Sequence, residues 1–490
     1  MRVKLCNRVA KASVLCILSI ALGACVSSRG LQPDGRTIDP SDLHSKRSFT
    51  GLSITPAAWP AQDWWITLGD AQLNVLIEEA LRSNPNLAEA DARARLAQAK
   101  ADAMNAERGP NLNANASATG SALSRLAILP PQTSAFSWEK SASLNFSWGM
   151  DLWGGKRASW EAMLGRSRAA EIDARAARIA LSVNIARAYA QLALAFAQRD
   201  IALADRARAH RVVELTYINI NSGLASAEQR HQVETEARTA DQNVAQAEAT
   251  IDSARASLSV LLGQGPDRGL EIARPGQLNS LALSVPENLP VSLLGRRPDL
   301  VAARWRVEAD AHDIVATKAQ FLPNISISAM AGLLVAGSTN LFQLPARTYS
   351  VEPAVSLPLF DGGYLRANLN AADAAYDEDV ASYNASVVMA VNEVARLITS
   401  LKWINKRRLI QREVVNNAKA AWDDSLTSYR AGLGTELNNM TVRQQLLSAQ
   451  QSMVSLDSEA IDTSVQLINA LGGGFKSTSQ EQSNNETVLH

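Results

Sequence analysis

The chain has 490 residues, of which 47% are hydrophobic and 20% are charged. Its 48 Lys and Arg residues balance 48 Asp and Glu residues, so the formal net charge is zero and a basic field for nucleic acid is excluded as a bulk property. Mean hydropathy is -0.08, and the chain has no uncharged apolar run of about 18 residues, which excludes a protein of many membrane-spanning helices.

The N-terminal segment predicts export and lipid attachment. Cations precede an apolar stretch at 12–24, which is the charge order of a secretory signal peptide, and this stretch is too short to span a bilayer. Residues 22–25 read Leu-Gly-Ala-Cys and resemble the bacterial lipobox, which implies a covalent diacylglycerol and an N-acyl lipid on Cys25 and no other cofactor. Val26 stands where lipoproteins of the inner membrane have Asp, so the outer membrane is implied. The alternative is an ordinary signal peptide followed by a chance cysteine.

The chain repeats itself once, at a spacing of 208 to 213 residues. Each repeat is predicted to contain a helix, two strands, a long helix, a turn and a further helix, so we expect internal pseudo-symmetry. The matching positions are Pro85 with Pro298, Pro110 with Pro323, Gly154 with Gly362, Gly223 with Gly432, and Gly263 with Gly472. The predicted organisation is a signal peptide at 1–24, a lipid-anchored segment at 25–75, repeats at 76–265 and 297–474, an equatorial linker at 266–296 and a tail at 475–490.

Four segments alternate apolar and polar residues with period two, which predicts strands with one face in contact with water. They lie at about 112–121, 139–149, 324–333 and 348–358. Strands of about ten residues match the length that crosses a bilayer when tilted. Their polar faces are small and rich in hydroxyl groups. For one segment alone, a strand of a soluble sandwich is the simpler interpretation.

Heptad spacing of apolar residues predicts long helices packed at small crossing angles. Residues 156–221 contain no Pro and one Gly, Gly165, and are predicted to form a single helix of about 100 Å. Two apolar stripes on it, one through Ile172 and one through Leu181, imply neighbours on both sides and hence a ring or array of helices. A long soluble coiled coil would explain the helices and leave the strands unexplained.

Four spanning strands cannot close a barrel, because unpaired backbone groups in lipid cost several kcal/mol each. Two copies would give eight strands with a filled interior, whereas three copies give twelve strands with a lumen. The predicted fold class is therefore a mixed α+β membrane protein. Its parts are a homotrimeric 12-stranded β-barrel, with four strands per chain, and a long α-helical barrel that continues it.

Two motifs resemble those of a known family. Residues 294–300 read Leu-Gly-Arg-Arg-Pro-Asp-Leu and residues 357–363 read Leu-Pro-Leu-Phe-Asp-Gly-Gly. With the duplication and Leu471-Gly472-Gly473, they resemble the outer-membrane efflux lipoproteins, the NodT-type branch of the TolC-like outer-membrane factors, over about residues 60–475. The resemblance implies a homotrimer in outer-membrane lipid that passively conducts small molecules. Its implied partners are a periplasmic membrane-fusion adaptor and an inner-membrane RND-type transporter.

Two other functions stay open, and an enzyme is not expected. The alternatives are the outer-membrane component of a type I protein secretion system and a structural periplasmic coiled-coil lipoprotein. The five histidines have no metal-ligand spacing, and no Ser lies in a nucleophile-elbow pattern, so no catalytic residue and no metal site are predicted. The run Gly472–Gly474 follows a helix rather than a strand, which is not the setting of a phosphate loop.

The resemblance places functional residues at the two turns between long helices. The expected adaptor contacts are Ser222, Gly223, Leu224, Ala431, Gly432 and Leu433, although a glycine helix stop is also expected there. The gate candidates are Glu228, Tyr429, Arg430, Glu436, Asn438 and Thr441. Relatives often carry rings of Asp where Asn438 and Thr441 stand. Whether this chain forms an anionic ring is therefore an open question. Tyr429 and Arg430 could hold the closed end by hydrogen bonds or cation-π contact, with a solvated Arg430 as the alternative.

Overall fold

The computed structural model describes residues 27–38, 59–122, 136–279 and 293–476, so the predicted signal peptide and Cys25 lie outside the described residues. The described residues form two compact units. The strand unit draws on the described residues among 1–37, 94–170 and 303–383, and the turn unit draws on those among 38–93, 171–302 and 384–490.

The elements occur twice in the same order and at nearly the same lengths. The first set is α2 (Pro85–Ala106), β1 (Asn111–Ala122), β2 (Phe136–Met150), α3 (Gly155–Asn221) and α4 (Ala227–Leu262). The second set is α6 (Pro298–Ala319), β3 (Asn324–Ala336), β4 (Arg347–Ser356), α7 (Tyr364–Arg430) and α8 (Glu436–Ala470). α2 and α6 each have 22 residues, and α3 and α7 each have 67. Helix α1 (Ala71–Ser83) precedes the first set, and the single turn α5 (Asp267–Leu270) lies between the sets.

The four strands form one antiparallel sheet in the order β1-β2-β3-β4, so β1 and β4 are its two edges. The strand register places residues of like polarity next to one another across the sheet. One row joins Leu112, Phe146, Ala329 and Val351 on the apolar face, and the adjacent row joins Asn111, Ser147, Ser328 and Glu352 on the polar face. Apolar side chains stay exposed in the single chain, as with Val351 at 73%. The four predicted strands are present, and their two faces alternate as predicted except in β3, where Met330 and Leu334 stand on the polar face.

The strand ends differ from the predicted ones at three places. β3 ends at Ala336 rather than near 333, since Val335 and Ala336 still pair with Lys140 and Glu139 of β2. β2 begins at Phe136 rather than near 139, because the alternating residues Phe136 to Trp138 still pair with the end of β1. β4 ends at Ser356 rather than near 358, because Pro358 has no N–H group to donate to the ladder.

Helix α3 is continuous from Gly155 to Asn221, as predicted from the absence of breakers. In the strand unit it approaches α6 closely at Gly165, where an added Cβ would lie 3.1 Å from the Cβ of Ala309. In the turn unit Ile185 and Leu192 of α3 are fully buried in one core with residues of α1, α4 and α8. Both predicted stripes of α3 are therefore buried, which explains its apolar composition without a membrane.

Candidate functional site

The two turns between long helices have the same backbone geometry. Gly223 and Gly432 both have φ of 73°, in the left-handed region that glycine adopts without strain. The N–H of Leu224 donates to the carbonyl of Asn219 at 2.7 Å, and the N–H of Leu433 donates to that of Ser428 at 2.9 Å. These are the six-residue bonds of a glycine helix stop, so the structural part of the prediction holds at both turns.

The helices that follow the turns are firmly capped. The Ser226 hydroxyl accepts from the N–H of Gln229, whose side chain accepts from the Ser226 N–H, so α4 begins with a complete capping box. The Thr435 hydroxyl accepts from the N–H of Asn438 at the start of α8. The fixed turns present Leu224 and Leu433 to solvent, with exposed fractions of 77% and 85%. Each turn therefore offers an apolar side chain that is mostly exposed among the described residues.

Glu436 ties three helices together beside the second turn. Arg211 of α3 donates from Nε to Glu436 Oε1 at 2.7 Å and from Nη2 to Oε2 at 3.0 Å. The hydroxyl of Tyr429, at the end of α7, donates to the same Oε2 at 3.0 Å. We call Arg211, Tyr429 and Glu436 the latch. It joins α3 to the turn between α7 and α8 within the turn unit.

The charges of the latch support one another. The hydrogen bonds from Arg211 hold the pKa of Glu436 below its usual value, and the carboxylate of Glu436 raises the pKa of Tyr429. The Glu436 side chain is 19% exposed, whereas Arg211 is 42% exposed, so solvent reaches the pair from the arginine side. Such a solvent-screened ion pair contributes little to the stability of the fold.

The other gate candidates do not join the latch. Glu228 and Asn438 are exposed in the first turns of α4 and α8, and the Thr441 hydroxyl donates to the carbonyl of Leu437 in its own helix. Arg430 is the exposed last residue of α7. None of the four side chains hydrogen-bonds to a latch residue within the described ranges. The structure thus brings together Tyr429 and Glu436 of the predicted set and adds Arg211.

The hairpin of α3 and α4 is internally tied near its turn. The Tyr217 hydroxyl of α3 donates to Glu234 of α4 at 2.5 Å. Arg208, 2% exposed, donates to Asp205 at 2.7 Å and across to Glu236 at 2.5 Å. Loss of one member of a buried charge cluster strands the others, so the two helices are held as one body. Arg211 therefore connects a stiff hairpin to Glu436.

Aromatic residues stand at both ends of the apolar face of the sheet. Phe136 and Trp138 meet edge to face at 5.8 Å at the end near the strand-to-strand connection. At the helix end, the indole N–H of Trp148 donates to the Arg108 carbonyl at 3.2 Å, and that of Trp153 donates to the Pro323 carbonyl at 2.7 Å. Two aromatic rows with an apolar band between them are typical of strands that cross a bilayer.

The first described residues run along α7 within the strand unit. Arg366, in the first turn of α7, donates from Nη1 to the Ser27 carbonyl at 2.6 Å. The N–H of Gly35 donates to the Asp377 carboxylate at 2.6 Å, and an added Cβ at Gly35 would lie 2.9 Å from that oxygen. The chain is thus fixed next to the end of β4 only two residues after Cys25.

No group of three or more His, Cys, Asp or Glu side chains suited to a metal ion occurs among the described residues. The candidate functional features are the two turns and the latch in the turn unit and, separately, the two faces of the sheet in the strand unit.

Comparison with known proteins gives consistent matches. The family model for outer membrane efflux proteins matches residues 76–264 and 289–473. The chain is 30% identical over 434 residues to the multidrug resistance outer membrane protein MdtP of Shigella flexneri, covering 87% of this chain and 89% of that one. It is 32% identical over 361 residues to the fusaric acid resistance protein FusA of Burkholderia cepacia, covering 73% and 68%. Among solved structures, the outer membrane protein VceC of Vibrio cholerae is 35% identical with a TM-score of 0.78, covering 85% of this chain and 100% of that one.

Proposed function

Because the chain belongs to the outer membrane efflux protein family, we propose that three copies of it form the exit duct of a tripartite efflux system. The protein is an outer-membrane efflux channel, as the family and its resistance-linked relatives indicate. Its fold is that of a channel rather than an enzyme. The observation that carries the proposal is the open four-stranded sheet, which has one apolar face, one small polar face and two unpaired edges.

Closure of the sheet requires further copies. The outer sides of the edge strands β1 and β4 have no strand partner within the described residues. An open edge in lipid leaves backbone N–H and C=O groups unpaired, at a cost of several kcal/mol each. Three copies in a ring pair every β4 with the β1 of the next copy. The twelve strands then turn their apolar face to lipid and their polar face to a water-filled bore.

In this proposal, partner proteins supply the energy for transport. An adaptor in the periplasm contacts the turns, and an inner-membrane RND-type transporter loads the duct. The support for the contact is Leu224 and Leu433, which are both exposed, equivalent in the two repeats and rigidly presented. An exposed apolar residue on a fixed turn binds a partner at little entropic cost.

A lipid on Cys25 holds the N-terminus at the inner surface of the outer membrane. Its support is the contact of Arg366 with Ser27, because two extended residues span at most about 7 Å. The lipid therefore enters the bilayer beside the junction of β4 and α7, where the aromatic residues of the sheet also end.

The latch keeps the turn end of the duct closed, and its release opens the bore for diffusion. Its support is that Glu436 joins the α3–α4 hairpin to the α7–α8 turn through contacts that solvent reaches. Adaptor docking on the neighbouring Leu433 is well placed to break these contacts. The duct itself performs no chemistry.

The test uses a strain that lacks the chromosomal copy and carries the full-length chain. Growth is measured against a panel of drugs, dyes and solvents, and heat-sensitive trimers are followed on gels of outer membranes. We expect Leu224→Glu with Leu433→Glu to lose the resistance that the unaltered chain restores while trimers persist. The paired Leu→Met variants should retain it. Full resistance with both glutamates present would contradict the adaptor contact.

A further inference from the structure

We propose that Glu139 and Glu352 make the bore of the sheet selective for cations, so that cationic and neutral molecules pass more readily than anionic ones. The inference rests on the proposed function, since it requires the sheets of three copies to close with the polar face inward. It concerns the barrel itself rather than the turn end of the duct.

The four charged residues of the sheet are sorted by sign between its two faces. Glu139 pairs with Thr119 and Glu352 pairs with Ser328, which places both acids on the polar face. Lys140 pairs with Ala118 and Arg347 pairs with Leu333, which places both bases on the apolar face. β1 and β3 contain no charged residue. The strands of three copies therefore put six carboxylates and no cation on the inner wall. Lys156 of α3 adds one ammonium group per copy at the helix end of this face, where a Cβ at Gly149 would lie 3.1 Å from its Nζ, so the carboxylates outnumber these ammonium groups by six to three.

No residue of the sheet can neutralise Glu352. Its cross-strand partner is Ser328, and the flanking positions of β3 on the same face are Ser326 and Met330. The other neighbour is β1 of the next copy. The polar-face residues of β1 are Asn111, Asn113, Asn115, Ser117, Thr119 and Ser121. Every closing register therefore leaves this carboxylate beside neutral side chains, and it is exposed on the described chain.

The two carboxylates act at different depths of the bore. Through Ser328 and Ser147, Glu352 is level with Asn111, the first residue of β1, whereas Glu139 is level with Thr119. At about 3.4 Å per residue these levels lie about 27 Å apart along the strands. One ring of three carboxylates thus stands near the helix end of the barrel and another near its outer mouth.

The field of these rings reaches the axis only at low salt. Twelve strands spaced about 4.8 Å apart and tilted about 40° give a barrel radius of about 12 Å. The Debye length is about 30 Å at 0.01 M salt and about 3 Å at 1 M. The carboxylates therefore repel anions across the whole bore at low salt and only beside the wall at high salt.

The test measures the permeability ratio of K⁺ to Cl⁻ from the reversal potential of the purified full-length trimer in planar bilayers under a KCl gradient. We expect a ratio above one at low salt that approaches one near 1 M. Glu139→Gln with Glu352→Gln should bring the low-salt ratio to one or below, because Lys156 then carries the charge that remains on this face. Lys140→Gln with Arg347→Gln, on the opposite face, should leave it at the unaltered value. The series is repeated in the Glu436→Gln background, which is expected to open the turn end, so that the permeability ratio reports on the barrel rather than on a narrow turn end.

The outcomes separate this inference from the duct itself. A conducting trimer whose ratio does not exceed one, or does not respond to the paired Glu→Gln change, overturns the selectivity while the duct stands. An equal effect of the Lys140 and Arg347 variants would mean that the wrong face lines the bore. If neither the unaltered trimer nor the Glu436→Gln trimer conducts, the proposed function fails and the selectivity fails with it.

Discussion

The latch illustrates, for single residues, what sequence patterns reveal about this site. Tyr429 and Glu436 could be proposed from the sequence because they flank a glycine turn. Arg211 could not, because its partner is 225 positions away and it is one of several arginines on α3. The arrangement of the latch comes from the packing of α3 against α8, which no local motif encodes.

Loss of the latch carboxylate should open the duct. Glu436→Gln removes the charge that accepts from Arg211 and Tyr429, so we expect a higher mean conductance of the purified trimer in planar bilayers. Glu228→Gln is the matched control, since Glu228 is an exposed acid in the first turn of α4. An unchanged conductance for Glu436→Gln, or an equal rise for Glu228→Gln, would remove the latch from the gate.

The latch should also respond to acid in a defined direction. Arg211 lowers the pKa of Glu436 from its usual value of 4.5. The ionised Glu436 therefore stabilises the closed latch fully above pH 4.5, and this stabilisation is lost as pH falls through the lower pKa of the folded state. Conductance should therefore be flat between about pH 5 and 8 and rise only at more acidic pH. The Glu436→Gln trimer should lack this rise, and a transition near neutral pH would contradict the assignment.

The family-like motif around Arg297 and the C-terminal glycines has a structural role. Arg297 donates to the Ala470 carbonyl at 3.1 Å and to Glu393 at 2.8 Å, so it caps the end of α8. A Cβ at Gly472 would lie 1.9 Å from the Arg296 carbonyl oxygen. Composition predicted that the glycine run ends a helix, but the close approach to Arg296 depends on tertiary packing and was not predictable.

Among the elements, the strands and long helices were predictable because each repeats a simple period. Alternation in β1 to β4 matches the two faces that the strand register forms, and heptads in α4 and α8 match the burial seen in the structure. The strand ends were less predictable, since the end of β1 decides where β2 begins and Pro358 decides where β4 stops. The neighbours of α3 were expected on both sides, but their identity was set by packing.

The contact of α3 with α6 gives a prediction for an element. At Gly165 an added Cβ would lie 3.1 Å from the Ala309 Cβ and 3.3 Å from the Trp305 carbonyl oxygen. Gly165→Val should therefore force the helices apart and destabilise the protein by about 1–3 kcal/mol, seen as a lower unfolding temperature by circular dichroism.

A compensating change tests the cause of that loss. Gly165→Ala gains helix propensity of up to about 1 kcal/mol and loses packing, and Ala309→Gly in the same chain removes its nearest contact. Ala309→Gly alone loses a similar helix propensity inside α6, so we expect the double variant to be more stable than the sum of the two single changes predicts. No such gain in the double variant would mean that the α3–α6 approach is not the limiting contact.

On the scale of the whole molecule, the fold class followed from two facts of the sequence, its duplication and its four bilayer-length alternating segments. The four-stranded sheet and the paired 67-residue helices agree with both. Neutral net charge and the absence of metal-ligand spacing pointed away from nucleic acid and catalysis, and the family is one of channels. The transported molecules were not predictable, because a wide bore contacts its cargo only weakly.

The central claim is that three copies join their sheets edge to edge. The most direct measurement is disulfide cross-linking of full-length protein in outer membranes, with Asn113→Cys in β1 combined in turn with Thr348→Cys, Ser350→Cys or Ala354→Cys in β4. All four positions lie on the polar face, and the one cysteine native to the mature chain, Cys25, is predicted to be acylated. The account predicts that at least one pair gives a ladder of one, two and three chains that stops at three. A ladder that ends at two or continues beyond three, or no cross-link with any pair, would contradict it.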